Sequence, residues 1–265
     1  AEIIIQQNEL KPTLAQYVIS QYTGTDGEND LYYHDADLAN GAQDNSYRYA
    51  GANVNNYVCF GSDAASCPSN NLYRIIGVFG NEVKLIKNTS YGNYVWDSGG
   101  DNTWSSSSLT TTNLNDTFLD SFSSTWRNKI ADAIWYVNGY STNRATPATW
   151  QDAESTGTPW TGKIGLMYVS DYGFAASQSA WISNVNNYNS SSITSNNWMY
   201  MGLTEWTISR DSRNSTNVYF VTSGGFVNEF SANYYSFALR PSFYLESSVS
   251  YVSGSGSATN PIRIN

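Results

Sequence analysis

Residues 198–245, WMYMGLTEWTISRDSRNSTNVYFVTSGGFVNEFSANYYSFALRPSFYL, decide the fold of this chain. Three runs within them, 198–208, 218–221 and 237–245, are rich in the aromatic and β-branched residues that favour β-strands. The spans between the runs are rich in Asn, Ser and Arg, a composition typical of loops. This stretch therefore predicts strands that pack in a core and loops that are free to contact a ligand.

Further strands are predicted on either side of the middle of the chain. Residues 47–49 and 57–60 are short aromatic runs. Residues 73–79 are followed, across a Gly-Asn turn, by 83–86, and this arrangement predicts a β-hairpin. Residues 163–170 form an apolar run that predicts a buried strand.

Three segments have apolar residues at helical spacing. Residues 12–21 predict a short amphipathic helix with a proline near its first turn. Two further helices are predicted at 109–122 and 125–137, and residues 138–162 are predicted to be a loop because they lack periodicity. Helices segregated from strands in this way predict an α+β fold rather than an alternating βαβ fold.

The composition excludes several classes of function. Charged residues make up only 13% of the chain and the net charge is −9, so no basic patch is available to bind nucleic acid. The same charge disfavours docking on an anionic membrane. Neither a GxGxxG nor a GxxxxGK[ST] motif is present, so the sequence does not indicate a nucleotide site.

The abundance of Asn, Ser, Thr and aromatic residues is typical of a β-rich secreted or surface protein. No run reaches the roughly 18 apolar residues that a membrane-spanning helix needs. The chain begins without an initiator Met or a signal-peptide pattern, and we therefore expect an export or anchoring segment ahead of Ala1.

The two cysteines, Cys59 and Cys67, enclose seven residues, FGSDAAS. This spacing is too wide for CxxC redox chemistry, and the sequence offers no second pair to complete a zinc site. We predict a local disulfide, which fits an oxidising compartment. The alternative is a pair of reduced thiols in a cytosolic loop.

Catalytic and metal-binding chemistry has little support. The single histidine, His34, lies in YYHDAD, and we interpret this motif as a solvated acidic turn because no GxSxG nucleophile elbow accompanies it. Calcium could use the carboxylates of residues 26–30 or of 97–102, but neither segment has EF-hand order. Ordinary turn chemistry is the favoured reading of both, and we predict no metal and no cofactor.

A glycan hydrolase would need two carboxylates about 5–10 Å apart in an aromatic cleft. The candidates near Trp198 and Trp206 are Glu205, Asp211, Glu229 and Glu246. Arg240 stands just before Pro241 in an apolar run, where the proline must interrupt the strand or lie at an edge. We interpret Arg240 as a structural clamp, because a buried guanidinium needs carboxylate or carbonyl partners.

A series of motifs carries a resemblance to a known group of proteins. The motifs are NLYRIIGVF, KLIKNTS, WDSGGDNTWSSSSLTTTNLN, KIGLMYVSDYG, WTIS, ALRPSFYL and the terminal GSGSATNPIRI. Together they resemble surface proteins of gut Firmicutes and their phages with a C-type lectin-like fold, in the formylglycine-generating-enzyme and variable-protein branch. The resemblance spans 47–264. It implies a C-type lectin-like domain at 47–265, with a twisted antiparallel sheet, two helices and long loops, preceded by an N-terminal helix and linker at 1–46.

In the variable proteins of diversity-generating retroelements, the ligand face precedes the final conserved strand. The resemblance places that face at residues 210–236 of this chain. The implied ligand-binding residues are Arg210, Asp211, Arg213, Asn214, Asn217, Tyr219, Asn228, Asn233, Tyr234 and Tyr235. The catalytic cysteines of the formylglycine-generating enzymes have no counterpart, since both cysteines lie early in the chain. The EPN and WND calcium motifs of sugar-binding C-type lectins are also missing.

These features predict an extracellular, non-enzymatic ligand-binding or adhesion module on a bacterial surface, a pilus or a phage particle. The expected partner is a protein or a glycan, with no nucleic acid and no direct membrane insertion; the sequence does not indicate an oligomeric state. Two alternatives stay open. One is a structural pilin or fibre subunit, with residues 2–21 as the truncated end of an assembly helix, and the other is a glycan hydrolase.

Overall fold

A computed structural model describes residues 11–265 of the chain, and within them the architecture is α+β with mainly antiparallel strands. The α-helices are α1 (Leu14–Ser20), α2 (Ser124–Arg127), α3 (Pro147–Ser155), α4 (Val169–Phe174) and α5 (Ser191–Thr194), and a π-helix spans Leu109–Phe118. Short 3₁₀ turns occupy Glu28–Asp30, Ser69–Asn71, Trp104–Ser106, Gln178–Ala180 and Val185–Asn187.

The first nine strands are β1 (Leu31–Tyr33), β2 (Tyr47–Tyr49), β3 (Tyr57–Cys59), β4 (Leu72–Phe79), β5 (Glu82–Lys87), β6 (Gly92–Tyr94), β7 (Ala133–Val137), β8 (Thr158–Gly162) and β9 (Ile164–Gly165). The others are β10 (Glu205–Arg210), β11 (Asn217–Val221), β12 (Val227–Ser231), β13 (Phe237–Leu239), β14 (Ser242–Tyr244), β15 (Tyr251–Ser253) and β16 (Arg263–Ile264).

Two sheets organise the structure. The larger has the order β1-β2-β4-β5-β14-β9, with β3 also paired to β4, and the predicted β4–β5 hairpin lies at its centre. The smaller has the order β12-β11-β10-β13-β6, in which only β10 and β13 are parallel. Two further pairs, β7–β8 and β15–β16, lie outside these sheets.

Arg240 and Pro241 mark the point where the chain passes from one sheet to the other. Strand β13 ends just before Arg240 in the five-stranded sheet, and β14 begins just after Pro241 in the seven-stranded sheet. Because proline cannot donate a ladder hydrogen bond, it suits this break between two strands. The predicted run 237–245 is thus two short strands in two sheets.

The N-terminal helix begins at a capping box, in which Thr13 and Gln16 exchange side-chain and backbone hydrogen bonds. Leu14 and Val18 of α1 are buried in the main core. Strand β1 pairs in register with β2, so part of the segment 1–46 shares a sheet with residues after 47. The assembly helix of the pilin alternative, residues 2–21, begins outside the described residues.

Four secondary-structure predictions were wrong in whole or in part. Of the run predicted as a strand at 198–208, residues 198–204 lie outside any strand and β10 begins at Glu205. The helix predicted at 125–137 is the short α2 followed by β7, because residues 133–137 alternate between buried and exposed side chains with the period of a strand. The strand predicted at 163–170 is only β9, and α4 begins at Val169. The predicted loop 138–162 contains α3 and β8, and α3 has the Thr-Pro start that favours a helix.

His34 is not in a solvated turn, as the sequence suggested, but fully buried. Its Nδ1 accepts a hydrogen bond from the Ala42 N–H at 2.9 Å, and its ring packs against Phe174 and Trp181. Phe174 and Trp181 belong to a second, smaller cluster of buried hydrophobic residues. The acidic residues next to His34 in the sequence suggested solvent exposure, but the fold places the ring in apolar surroundings.

The disulfide between Cys59 and Cys67 is confirmed. Arg263 of β16 donates hydrogen bonds to the carbonyls of Ala64 and Ala65, both at 2.8 Å, so the C-terminal strand is tied to the disulfide loop. No helix within residues 11–265 is long and apolar enough to cross a membrane.

Candidate functional site

Three loops meet at one end of the five-stranded sheet: residues 97–105, 211–217 and 231–236, which we call the loop cluster. The buried side chain of Asn102 joins the first two. Its Nδ2 lies 3.2, 2.6 and 2.8 Å from the carbonyl oxygens of Asp211, Asn214 and Asn217, respectively. The backbone N–H of Asp97 donates to the carbonyl of Ala232 at 3.1 Å and joins the third loop.

Three of the carboxylates considered for calcium accept hydrogen bonds from nearby backbone N–H groups. Asp97 accepts from the Ser108 N–H at 3.0 Å, and Asp101 accepts from the Thr103 N–H at 2.7 Å. In the earlier segment, Asp26 accepts from the Tyr33 N–H at 2.8 Å. Across the part of the chain that the structure describes, no three His, Cys, Asp or Glu residues are grouped to hold a metal ion.

Three aromatic rings, one at the end of β12 and two in the third loop, are exposed and touch one another. Phe230, Tyr234 and Tyr235 are 38%, 66% and 45% exposed, and their ring centroids lie 4.6–5.2 Å apart. Tyr235 also stacks on Phe237 at 5.4 Å, and Phe237 packs on the buried Trp206. This exposed ring cluster therefore rests on a rigid aromatic base.

A pocket of about 190 Å³ opens beside the first loop. Its aromatic walls are Trp104 and Trp160, whose rings meet edge to face at 5.9 Å, and Arg210 supplies a cation. The other lining residues are Asn102, Thr103, Ser105, Val137, Thr158 and Pro159. The buried Nε1 of Trp104 has no hydrogen-bond partner among the described residues. This tryptophan pocket thus combines ring faces with polar groups, as small-molecule sites do.

The structure distributes the predicted ligand residues unevenly. Arg210 lines the tryptophan pocket, and its guanidinium lies 3.4 Å from Oδ1 of Asn102. Asp211 is buried, where its carboxylate accepts from the Arg213 N–H at 2.8 Å and holds the loop together. Tyr219 is fully buried and donates to the carbonyl of Tyr140 at 3.2 Å, so it supports the sheet from inside.

The remaining predicted residues lie nearer the surface. Those that are exposed are Arg213, Asn214, Asn233, Tyr234 and Tyr235, whereas Asn217 and Asn228 are half-buried. Asn228 lies on β12, beyond the loop cluster, so the cluster brings together most but not all of the predicted set.

Sequence reasoning missed Trp104 and Trp160 as site residues. Trp104 lies in the Gly/Ser-rich run 96–108, and a large ring in such a run is a signal that could have identified it. Trp160 lies on β8, in a segment predicted to be loop, where no local pattern indicated that it would face Trp104. Only the tertiary fold brings these two rings together.

One of the carboxylates considered for glycan hydrolysis, Glu205, is held in a buried ion pair. Glu205 is buried and accepts two hydrogen bonds from Arg240. Nε of Arg240 donates to Oε2 at 2.7 Å, and Nη2 donates to Oε1. Arg240 also donates to the carbonyl of Met199 at 2.8 Å. Arg240 therefore holds a buried carboxylate and a loop carbonyl together.

Comparison of the chain with protein-family models, with curated proteins and with solved structures finds no match.

Proposed function

We propose that this protein is an extracellular, non-enzymatic module that binds glycans through its loop cluster and attaches a bacterial surface, a pilus or a phage particle to its target. The observation that carries the proposal is the exposed ring cluster of Phe230, Tyr234 and Tyr235. Adjacent aromatic rings that face water are typical of binding sites rather than of the core.

The surroundings of the rings favour a glycan over a protein partner. Apart from Arg213 and the two tyrosines, the exposed side chains of the second and third loops are amides and hydroxyls: Ser212, Asn214, Ser215, Thr216, Asn233 and Ser236. Amides and hydroxyls are suited to the hydroxyl groups of a sugar, and tyrosine adds an apolar face with a polar tip. The core of a protein–protein interface usually needs a broader apolar area than three rings supply.

The tryptophan pocket extends the proposed site. Its volume of about 190 Å³ is smaller than the roughly 300–1,000 Å³ of pockets for drug-sized ligands, and it suits one sugar unit of a longer chain. Trp160 offers a ring for stacking, and Arg210 offers a bidentate donor that would favour a carboxylate-bearing sugar.

Other observations support the location and the absence of catalysis in this proposal. A disulfide fits an oxidising environment outside the cell. Glu205 is engaged by Arg240, and the carboxylate of Asp211 is engaged within its own loop, so neither is a free acid or base. Residues 210–236 would carry the ligand specificity, as in the variable proteins of diversity-generating retroelements that the chain resembles.

A glycan array run in parallel with an oligosaccharide turnover assay tests the proposal. We expect binding to a defined glycan class with no cleavage products. If no glycan class on the array is bound, the proposal is contradicted and a protein is left as the partner. Cleavage products would favour the hydrolase alternative.

Matched variants then locate the binding face. Tyr234→Ala and Tyr235→Ala should each weaken binding at least about tenfold, a loss of about 1.4 kcal/mol that is typical of an interface anchor. Ile182→Ala removes an equally exposed apolar side chain, 67% exposed, that lies outside the three loops, and it should bind as the wild type does. If all three variants bind glycan equally well, the exposed ring cluster is excluded as the binding face.

A further inference from the structure

A buried cluster of ionisable groups lies away from the loop cluster, between β5 and α4. Nζ of Lys84 lies 2.6 Å from Oδ2 of Asp171, and the two side chains are 0% and 2% exposed. Glu154 of α3, also buried, lines the same pocket of about 220 Å³ as these two residues. The proposed function uses none of these groups.

We propose that Lys84 and Asp171 condense into an intramolecular isopeptide bond, with Glu154 as the group that moves the proton. In this step the Lys84 nitrogen attacks the carboxyl carbon of Asp171. A C–N bond forms, a C–O bond breaks, and the carboxyl oxygen leaves as one molecule of water. The step is redox-neutral and needs no co-reactant.

The geometry of the pair suits this attack. A carboxyl C–O bond is about 1.23 Å long, so the carbon of Asp171 lies within about 3.8 Å of the Lys84 nitrogen. Reacting atoms in near-attack arrangements lie about 3–3.5 Å apart. Because the fold holds the two groups in place, the entropy that opposes a condensation in water has already been lost on folding.

The surroundings of Lys84 are apolar and aromatic. Its Nζ lies 4.2 Å from the ring centroid of Tyr168, 5.1 Å from Trp135, 5.3 Å from Tyr244 and 5.8 Å from Phe79. The ring faces attract an ammonium, but burial away from water disfavours both charges and so eases transfer of a proton from the ammonium to the carboxylate. Burial lowers the pKa of Lys84, against the opposing effect of Asp171. The neutral amine is the form that can attack.

Two neighbours complete the chemistry. Nη1 of Arg48 lies 3.7 Å from Oδ1 of Asp171 and has no hydrogen-bond partner among the described residues, so it is placed to stabilise negative charge that develops on that oxygen. Glu154 lines the same pocket as Lys84 and Asp171, and burial raises its pKa to about 7, so near neutral pH this carboxyl can both take a proton and return it to the leaving oxygen.

The simpler reading is a buried ion pair that never reacts. Asp171 accepts from the Tyr168 N–H at 2.8 Å at the start of α4, and Glu154 accepts from the Val169 N–H at 3.0 Å, so both carboxylates also cap that helix. Capping accounts for two carboxylates at a helix start. Capping does not explain why Lys84 is fully buried, so the buried lysine is the feature that favours a reaction over a simple ion pair.

Intact-mass spectrometry of the purified protein under denaturing conditions separates the two readings. The proposal predicts a mass lower by one water than that of the disulfide-bonded chain. After trypsin digestion, cleavage after Lys84 should be lost, and peptide 75–87 should be joined to peptide 164–210. On a reducing gel the linked chain, closed over 87 positions, should migrate faster than an unlinked variant.

Single-residue variants test which two side chains form the bond. Lys84→Met and Asp171→Ala should each restore the full mass, and Lys87→Met, which changes the next lysine of the same strand, should keep the loss of water. Glu154→Gln conserves shape and should slow bond formation at least tenfold, followed as the unlinked fraction over time. A Glu154→Gln protein that links as fast as the wild type would overturn the role given to Glu154.

The wild-type mass decides the proposal even if a variant fails to fold. If wild-type protein, held folded at neutral pH, keeps its full mass and yields Lys84 and Asp171 in separate peptides, the isopeptide bond is excluded. That result would leave the proposed glycan binding untouched, because the two sites share no residue.

Discussion

The side-chain amide of Asn102 donates to the backbone carbonyl of Asn217 at 2.8 Å, and so joins two loops that are more than a hundred residues apart in the chain. The same nitrogen reaches the carbonyls of Asp211 and Asn214. The polar loop 211–217 therefore takes its shape from a residue of a different loop. Pre-ordering of this kind lowers the entropy lost when a ligand binds.

Asn102→Ala should loosen the loop cluster. It removes the donor for three carbonyls, and loss of a buried hydrogen-bond partner costs about 1–3 kcal/mol. We expect that decrease in the free energy of unfolding by urea denaturation, together with faster hydrogen exchange of the amides in 211–217. Asn70→Ala, at an exposed position, is the matched control and should change neither quantity. Unchanged exchange in Asn102→Ala would show that the loop is ordered by other contacts.

Arg210→Gln and Trp160→Ala should weaken glycan binding without unfolding the protein. Both residues are only half-buried and line the tryptophan pocket, so their loss removes ligand contacts more than core packing. We expect the dissociation constant, measured calorimetrically, to rise about tenfold or more for each variant. A melting temperature well below that of the wild type would instead assign these side chains to the scaffold.

Arg240 and Glu205 should be strongly coupled in stability. Removing one partner leaves the other charge buried and unpaired, which costs about 3–5 kcal/mol. Arg240→Met and Glu205→Gln should each lose about that much in urea unfolding, and the double variant should lose much less than the sum. Arg127→Met is the control, because the Arg127–Asp120 pair is exposed and should contribute under about 1 kcal/mol. Additive losses in the double variant would contradict a coupled pair.

The parts of the fold that could be predicted from sequence are those with a local cause. The β4–β5 hairpin follows from two β-rich runs across Gly80 and Asn81, and α1 follows from apolar spacing behind Thr13. Residues 125–137 were wrongly predicted to be one helix because Trp126, Ile130, Ala133 and Val137 fit a helical period. Residues 133–137 also fit the period of two that is typical of a strand, and the structure adopts that strand.

The site could be predicted only in part, because its composition is local but its geometry is not. The exposed Tyr234 and Tyr235 lie in the segment that the resemblance indicated. Tyr219 has the same residue type in the same segment and is buried, because its position in β11 points it into the core. Trp160 reaches the site through the β7–β8 pair, which no periodicity in 138–162 foretold.

Acidification should destabilise the protein through His34. Burial lowers the pKa of His34 from 6.5 to about 3, and the nearby positive charge of Arg48 contributes to this shift. The negative charge of Asp44 acts in the opposite direction but is the smaller effect. The unfolded chain therefore binds more protons between pH 6.5 and 3, and stability falls as the pH falls through that range. By pH 4.5 the loss from this group should reach about 2–3 kcal/mol.

His34→Asn tests this dependence, because Asn keeps an acceptor near Nδ1 but does not titrate. The difference in unfolding free energy between wild type and variant should shrink by about 2–3 kcal/mol from pH 7 to 4.5, since other groups titrate alike in both proteins. A constant difference across that range would mean that His34 is not buried as a neutral ring.

Hydrogen exchange of the wild-type protein with and without a saturating glycan from the array tests the central claim most directly. Binding at the loop cluster and the tryptophan pocket predicts slower exchange in 97–105, 158–160, 210–217 and 230–236, with little change elsewhere. Protection centred on other segments, such as 164–174, or no protection under saturating glycan, would contradict the assignment of these three loops as the binding face.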